Sequence, residues 1–199
     1  MPGEMYIKFT ALALVSTLAF SSCKQETKTE PTEAVETEVE ATDHSHNSAL
    51  GDSITKVAFM QLSSRLKSVI DTAGFNGAVD YCSVHAIPLT SEVAEKYDVT
   101  LSRISNKYRN PFNMARNSEV EVLDAMATDA KPSVVEDADK ITYYKPIKTM
   151  ALCLNCHGKE GETLNEEAYA TIKSKYPEDL AIGYSEGELR GAWKVVFSK

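Results

Sequence analysis

Cys153-Leu154-Asn155-Cys156-His157-Gly158 sets two thiols three positions apart, with an imidazole directly after the second. On one helical turn such thiols reach the two vinyl groups of a single porphyrin and form thioethers. The following histidine then lies under the ring as an axial ligand of the iron. The spacing is the attachment signature of c-type haem. Three other chemistries use paired cysteines. A zinc site wants a second ligand pair, for which the chain offers only Cys82 and His85, at Cys-x-x-His spacing. A thioredoxin-like dithiol wants a buried strand before it in a βαβ context, which the pattern lacks. A structural disulfide is the third.

The chain has four cysteines: Cys23, Cys82, Cys153 and Cys156. Cys23 closes a leader in which Lys8 precedes an apolar run from Phe9 to Phe20, followed by two serines. Its length and flanks match a secretory signal rather than a membrane-spanning helix, because no stretch reaches the roughly 18–20 apolar residues a span needs. Ending in Phe-Ser-Ser-Cys, it resembles a bacterial lipoprotein signal, although Phe20 stands where leucine is more usual. Cleavage would leave Cys23 as an acylated N-terminus, and two or three acyl chains give stable anchoring. Export agrees with haem attachment, which in bacteria takes place after secretion. With Cys153 and Cys156 on porphyrin and Cys23 on lipid, Cys82 has no partner. It is either a small buried hydrophobe or a sulfur with a task of its own.

Of 199 residues, 43% are hydrophobic and 25% charged, which excludes a wholly disordered or fibrous chain. The net charge of −8 disfavours binding to nucleic acid, which needs clustered Lys and Arg. That charge is uneven. Residues 24–52 carry eight acids against two lysines, and 53–199 carry twenty against eighteen bases. The expected organisation is a signal peptide over 1–22, an acidic tether without regular structure over 23–52, and one domain over 53–199. His44 and His46 fall in the tether and are expected to be solvated.

The domain reads as α+β. Ile54, Val57, Ala58, Leu62, Leu66, Val69 and Ile70 form the stripe of an amphipathic helix ended by Gly74. A second helix runs from Asn76 through Cys82 and His85 and stops before Pro88, and a third short one covers 91–97. Residues 99–108 alternate as a strand until Asn110-Pro111 breaks it. Asn117 starts a helix with Val120, Leu123, Ala127 and Met126 facing inward. Residues 140–148 are strand-like and 165–175 helical. Residues 181–184 and 189–197 read as two strands joined by a turn, with Trp193, Val195 and Phe197 on one face. The sum is a short antiparallel sheet flanked by helices.

Several of these segments together resemble a known family. Tyr81-Cys82 in a helix, the run Ser102-Arg103-Ile104-Ser105-Asn106-Lys107-Tyr108-Arg109-Asn110-Pro111-Phe112-Asn113, the haem signature, and Ala181–Tyr184 through Leu189–Trp193 occur in order. They are similar to a family of small c-type haem domains with a PAS-like fold, found alone in cyanobacterial monohaem cytochromes and fused to bacterial sensor kinases. The resemblance covers about 54–197. It implies one covalent haem c with histidine on one side of the iron and cysteine sulfur on the other, which map to His157 and Cys82. Rival sixth ligands are His85, one helical turn from Cys82, and Met60, Met114, Met126 and Met150; five-coordinate iron is the remaining alternative. Burying two haem propionates calls for guanidinium donors, and Arg103, Arg109 and Arg190 are the candidates. Trp193 and Tyr184 read as core.

Two functions follow from different classes. One is a membrane-tethered monohaem cytochrome of the cell envelope, of low potential because anionic sulfur favours ferric iron, exchanging electrons with an unidentified redox partner. The other is a haem-based redox or gas sensor that signals through a partner protein. Enzymatic activity is not expected, since a filled sixth position leaves no open distal site.

Overall fold

The computed structural model describes residues 43–199. The expected signal, the expected lipidation site Cys23 and most of the expected tether lie outside them. The order of elements is α1 (Ser45–Tyr97), β1 (Thr100–Ile104), a 3-10 turn (Pro111–Asn113), α2 (Ser118–Asp129), β2 (Ser133–Glu136), β3 (Lys140–Lys148), α3 (Ala151–His157), α4 (Glu166–Lys175) and β4 (Leu189–Ser198).

α1 is two helical arms joined at Gly74, whose φ of 70° and ψ of −172° break the helix at a conformation that suits glycine. The arms fold back on each other. Gln61 on the first donates to Glu92 on the second at 3.1 Å, and Ile54 and Ala58 share a core with Val93. The second arm passes through Pro88 to Tyr97, where the sequence predicts a stop and a separate piece. Proline removes one donor, and the carbonyl so orphaned belongs to Val84, a solvent-exposed residue. Burial of Ala78, Val79, Thr90 and Val93 along one side holds the arm continuous.

The four strands form one antiparallel sheet in the order β1-β4-β3-β2. Alternation along the strands divides the core. Leu101, Tyr143, Trp193, Val195 and Phe197 face the α1 hairpin, while Ile104, Tyr144 and Ala192 face Leu123 and Met126 of α2. Leu164, together with Ala168 and Ile172 of α4, packs on Val79 of the second arm. This is the α+β fold read from the sequence, and it is compatible with a PAS-like arrangement.

Several local expectations need correction. The segment 45–52, expected to be tether, is the first part of α1. It is held because Gly51 lies against the ring of Tyr143 and Asp52 takes hydrogen bonds from Tyr143 and Lys145. His44, expected to be solvated, places Nε2 3.2 Å from Glu136 Oε2. β1 ends at Ile104, short of the expected 108. Residues 181–184 form no strand, because their backbone is spent on α3: Gly183 N donates to Gly158 O at 2.7 Å and Tyr184 N to His157 O at 3.0 Å. β2 was not anticipated. On α2, Leu123 and Met126 are buried, whereas Val120 and Ala127 are exposed.

Candidate functional site

The haem signature forms α3, a single short helix, so Cys153, Cys156 and His157 stand on consecutive turns as the spacing requires. They line one cavity together with residues from five other regions. The first arm of α1 contributes Leu62, Leu66 and Ile70, the second contributes Phe75, Val79 and Cys82, and the sheet contributes Arg103 and Arg190. Arg109, Asn110 and Asn113 come from the segment after β1, and Tyr176 from the end of α4. The apolar stripe of the first arm therefore serves partly as a wall of the cavity and not only as core.

His157 Nδ1 lies 2.7 Å from the carbonyl oxygen of Ala181. A carbonyl only accepts, so the ring proton sits on Nδ1 and the lone pair is left on Nε2. Burial, reinforced by the charges of Arg190 and Arg109, holds the imidazole well below its ordinary range and keeps it neutral. A neutral, oriented imidazole is the form that binds a metal. Burial pushes the Cys156 thiol up to about 11, and pushes Cys82 up as well, with Arg103 and Arg109 pulling Cys82 back.

All but one of the rivals of Cys82 are placed elsewhere. His85 is exposed and stacked on Tyr81, with centroids 4.4 Å apart, and does not line the cavity. Met126 is buried on the opposite face of the sheet, and Met60 and Met114 are outside the lining. Among the methionines proposed, only Met150 lines the cavity, and it is about half-exposed.

The three arginines have unequal standing. Arg109 is already engaged: Nε and Nη2 donate to the two carboxylate oxygens of Asp179 at 3.1 and 3.0 Å, and Nη2 also reaches the carbonyl of Cys156 at 2.6 Å. Its fork has a protein partner rather than a free face. Arg103 lies over the ring of Trp193, at 5.6 Å, with a single long hydrogen bond of 3.5 Å to the carbonyl of Ala86. Arg190 uses Nη1 on Ser105 and Lys107, but its buried Nε has no hydrogen-bond partner. Such an orphaned cationic donor is costly unless an acceptor joins it.

These features fit a porphyrin with acidic arms. The cavity is apolar along α1, has the cationic residues Arg103 and Arg190 in its lining, and brings two thiols, a neutral imidazole and a third sulfur to its walls. A single-ion site fits less well. Among the described residues no three or more His, Cys, Asp and Glu side chains gather as a metal cage. The donors surround a space instead of converging on a point. Asp179 and the Ala181 carbonyl were missed in the sequence, because the only local trace of either was the run 181–184 within the resemblance.

The family model described as Tll0287-like: Tll0287 matches residues 21–198. No curated protein matches. Among solved structures, one titled as the crystal structure of the cyanobacterial heme-protein Tll0287 is similar at 26% identity. The match covers 76% of this chain and 95% of that one, with a TM-score of 0.59. With the family model spanning nearly the whole chain, the protein belongs to the Tll0287-like family.

Proposed function

We propose that the protein is a monohaem c-type cytochrome of the bacterial envelope, anchored through an acylated Cys23, that exchanges electrons at low potential or poises itself with its surroundings. The observation that carries this reading is the convergence of Cys153, Cys156, His157 and Cys82 on one cavity that Arg103 and Arg190 also line. The haem-protein title of its structural relative supports it.

Each side chain has a part. Cys153 and Cys156 supply thioether sulfurs from one helix, and His157 presents Nε2, its ring held by the Ala181 carbonyl. Cys82 would supply a third sulfur from α1. Arg103 and Arg190 offer cationic donors to carboxylates, and the apolar residues of both α1 arms exclude water. When bound, the haem supplies one-electron chemistry at iron. Thiolate at Cys82 favours the ferric state, and low water access favours whichever state carries less net charge.

The test is purification from a host competent for covalent attachment. The expected result is a Soret band, a pyridine haemochrome of c type, and a protein mass raised by one haem after acid-acetone extraction. Colourless protein, or haem lost on extraction, would overturn covalent attachment. Sensing is separated from electron transfer by the reduced protein: rapid CO binding favours a sensor, and an unchanged reduced spectrum with fast electron exchange favours transfer.

A further inference from the structure

Arg109 and Asp179 form a bidentate pair with side chains only 13% and 6% exposed. A buried ion pair is weak evidence for stability, because desolvation offsets most of its attraction. Its other hydrogen bonds show what else it does. Asp179 Oδ1 accepts from the backbone N–H of Ala181 at 3.0 Å, and Arg109 Nη2 donates to the Cys156 carbonyl at 2.6 Å and the Ala181 carbonyl at 3.4 Å. The Ala181 carbonyl in turn accepts from Nδ1 of His157. The path is closed: His157 ring, Ala181, Asp179, Arg109, Cys156, and back to His157 along one peptide bond. Arg109 grips the backbone that carries the imidazole, and Asp179 grips the backbone of the residue whose carbonyl holds its Nδ1–H.

We infer that Arg109 and Asp179 are positioning residues that fix the plane of the His157 ring and set how strongly Ala181 polarises its Nδ1–H. This rests on His157 being the haem ligand proposed above. Arg109 and His157 share one carbonyl acceptor, so the guanidinium draws density from Ala181 O and weakens the pull on the imidazole proton. Without Arg109 that hydrogen bond strengthens, His157 becomes more electron-donating, and a positive charge is lost near the iron. Both effects favour ferric iron. Without the charge of Asp179 an unbalanced Arg109 does the opposite. A fork is also needed, because lysine keeps the charge but cannot hold a carboxylate and two carbonyls in one plane.

The experiment uses haem-loaded protein and three variants: Arg109→Gln, Asp179→Asn and Arg109→Lys. Midpoint potentials and ferric paramagnetic-resonance spectra are recorded for each, beside thermal unfolding. The midpoint should fall in Arg109→Gln and rise in Asp179→Asn. In Arg109→Lys the midpoint should move less than in Arg109→Gln, while the g-value spread, which reports the axial ligand plane, should change. A purely structural pair would lower the unfolding temperature in all three and leave g values and midpoints at wild type; that outcome overturns the inference. If Arg109→Gln does not fold, the near-isosteric Asp179→Asn and the lysine variant decide it on the same readouts. Wild-type protein without haem overturns the functional reading itself, a result distinct from haem-loaded variants with unchanged spectra.

Discussion

Ser105 and Arg190 hold each other twice: the serine Oγ donates to the backbone carbonyl of Arg190 at 2.8 Å and accepts from its Nη1 at 2.8 Å. The hydroxyl also accepts from Lys107 N at 3.1 Å, so its hydrogen-bonding capacity is used up. The clamp fixes the guanidinium at the cavity with Nε buried and unpaired.

Arg190→Gln removes that donor and its charge. In haem-loaded protein the expected loss of unfolding free energy is about 1.5–3 kcal/mol, the range for a charged hydrogen bond, with a fall in midpoint potential. In haem-free protein the loss should be smaller, since an unsatisfied donor disappears with the arginine. Denaturant unfolding of both forms checks this. Equal losses in the two would remove any role for Nε toward the cofactor.

Cys82→Met replaces an anionic sulfur by a neutral one on the same wall of the cavity. The midpoint should rise by on the order of 0.1–0.3 V, within the range that axial ligands span. His85→Ala, on the exposed side of α1, should leave both midpoint and spectrum unchanged. Redox titration with ferric paramagnetic resonance on the two variants reads the result. A spectral change in the His85 variant alone would reassign the ligand.

Gly51 tests the start of the domain, because a Cβ there would overlap the ring of Tyr143. Gly51→Ala should cost about 1–3 kcal/mol as overpacking, lowering the unfolding temperature by several degrees. If 45–52 were solvated tether the substitution would be neutral or slightly stabilising, as alanine favours helix. Calorimetry distinguishes the two.

Tyr144 is buried on the α2 face, and burial, helped by the charges of Glu119 and Asp137, pushes its hydroxyl up to about 12 from the ordinary 10. A raised folded-state value means that the unfolded chain ionises first. The stabilisation is complete below pH 10 and is lost as pH rises from 10 to about 12, by on the order of 2 kcal/mol. Tyr144→Phe should flatten that part of the stability curve. Urea unfolding between pH 9 and pH 12 measures it, and an unchanged slope would refute the assignment.

Local pattern was enough wherever a residue's role depends on near neighbours in the chain. Placing Cys153, Cys156 and His157 together needed only one helical turn, the helix over 165–175 needed only its own pattern, and the alternation of Trp193, Val195 and Phe197 needed only a strand. Pro88 and residues 45–52 were misread for the converse reason. A helix-breaking residue was outweighed by a buried face, and a polar, acidic stretch was ordered by Tyr143 and Lys145, far along the chain.

Composition and spacing named the residues on offer: a Cys-x-x-Cys-His segment, a further cysteine at Cys82, three arginines and an α+β frame. Folding chose among equals. Cys82 lines the cavity while His85, three positions on, faces solvent, because the second arm of α1 turns its apolar side inward. Arg109 meets Asp179 while Arg190 keeps a free donor, because hydrogen-bond partners distant in the chain are set by how β1, α4 and β4 pack, which no local spacing encodes.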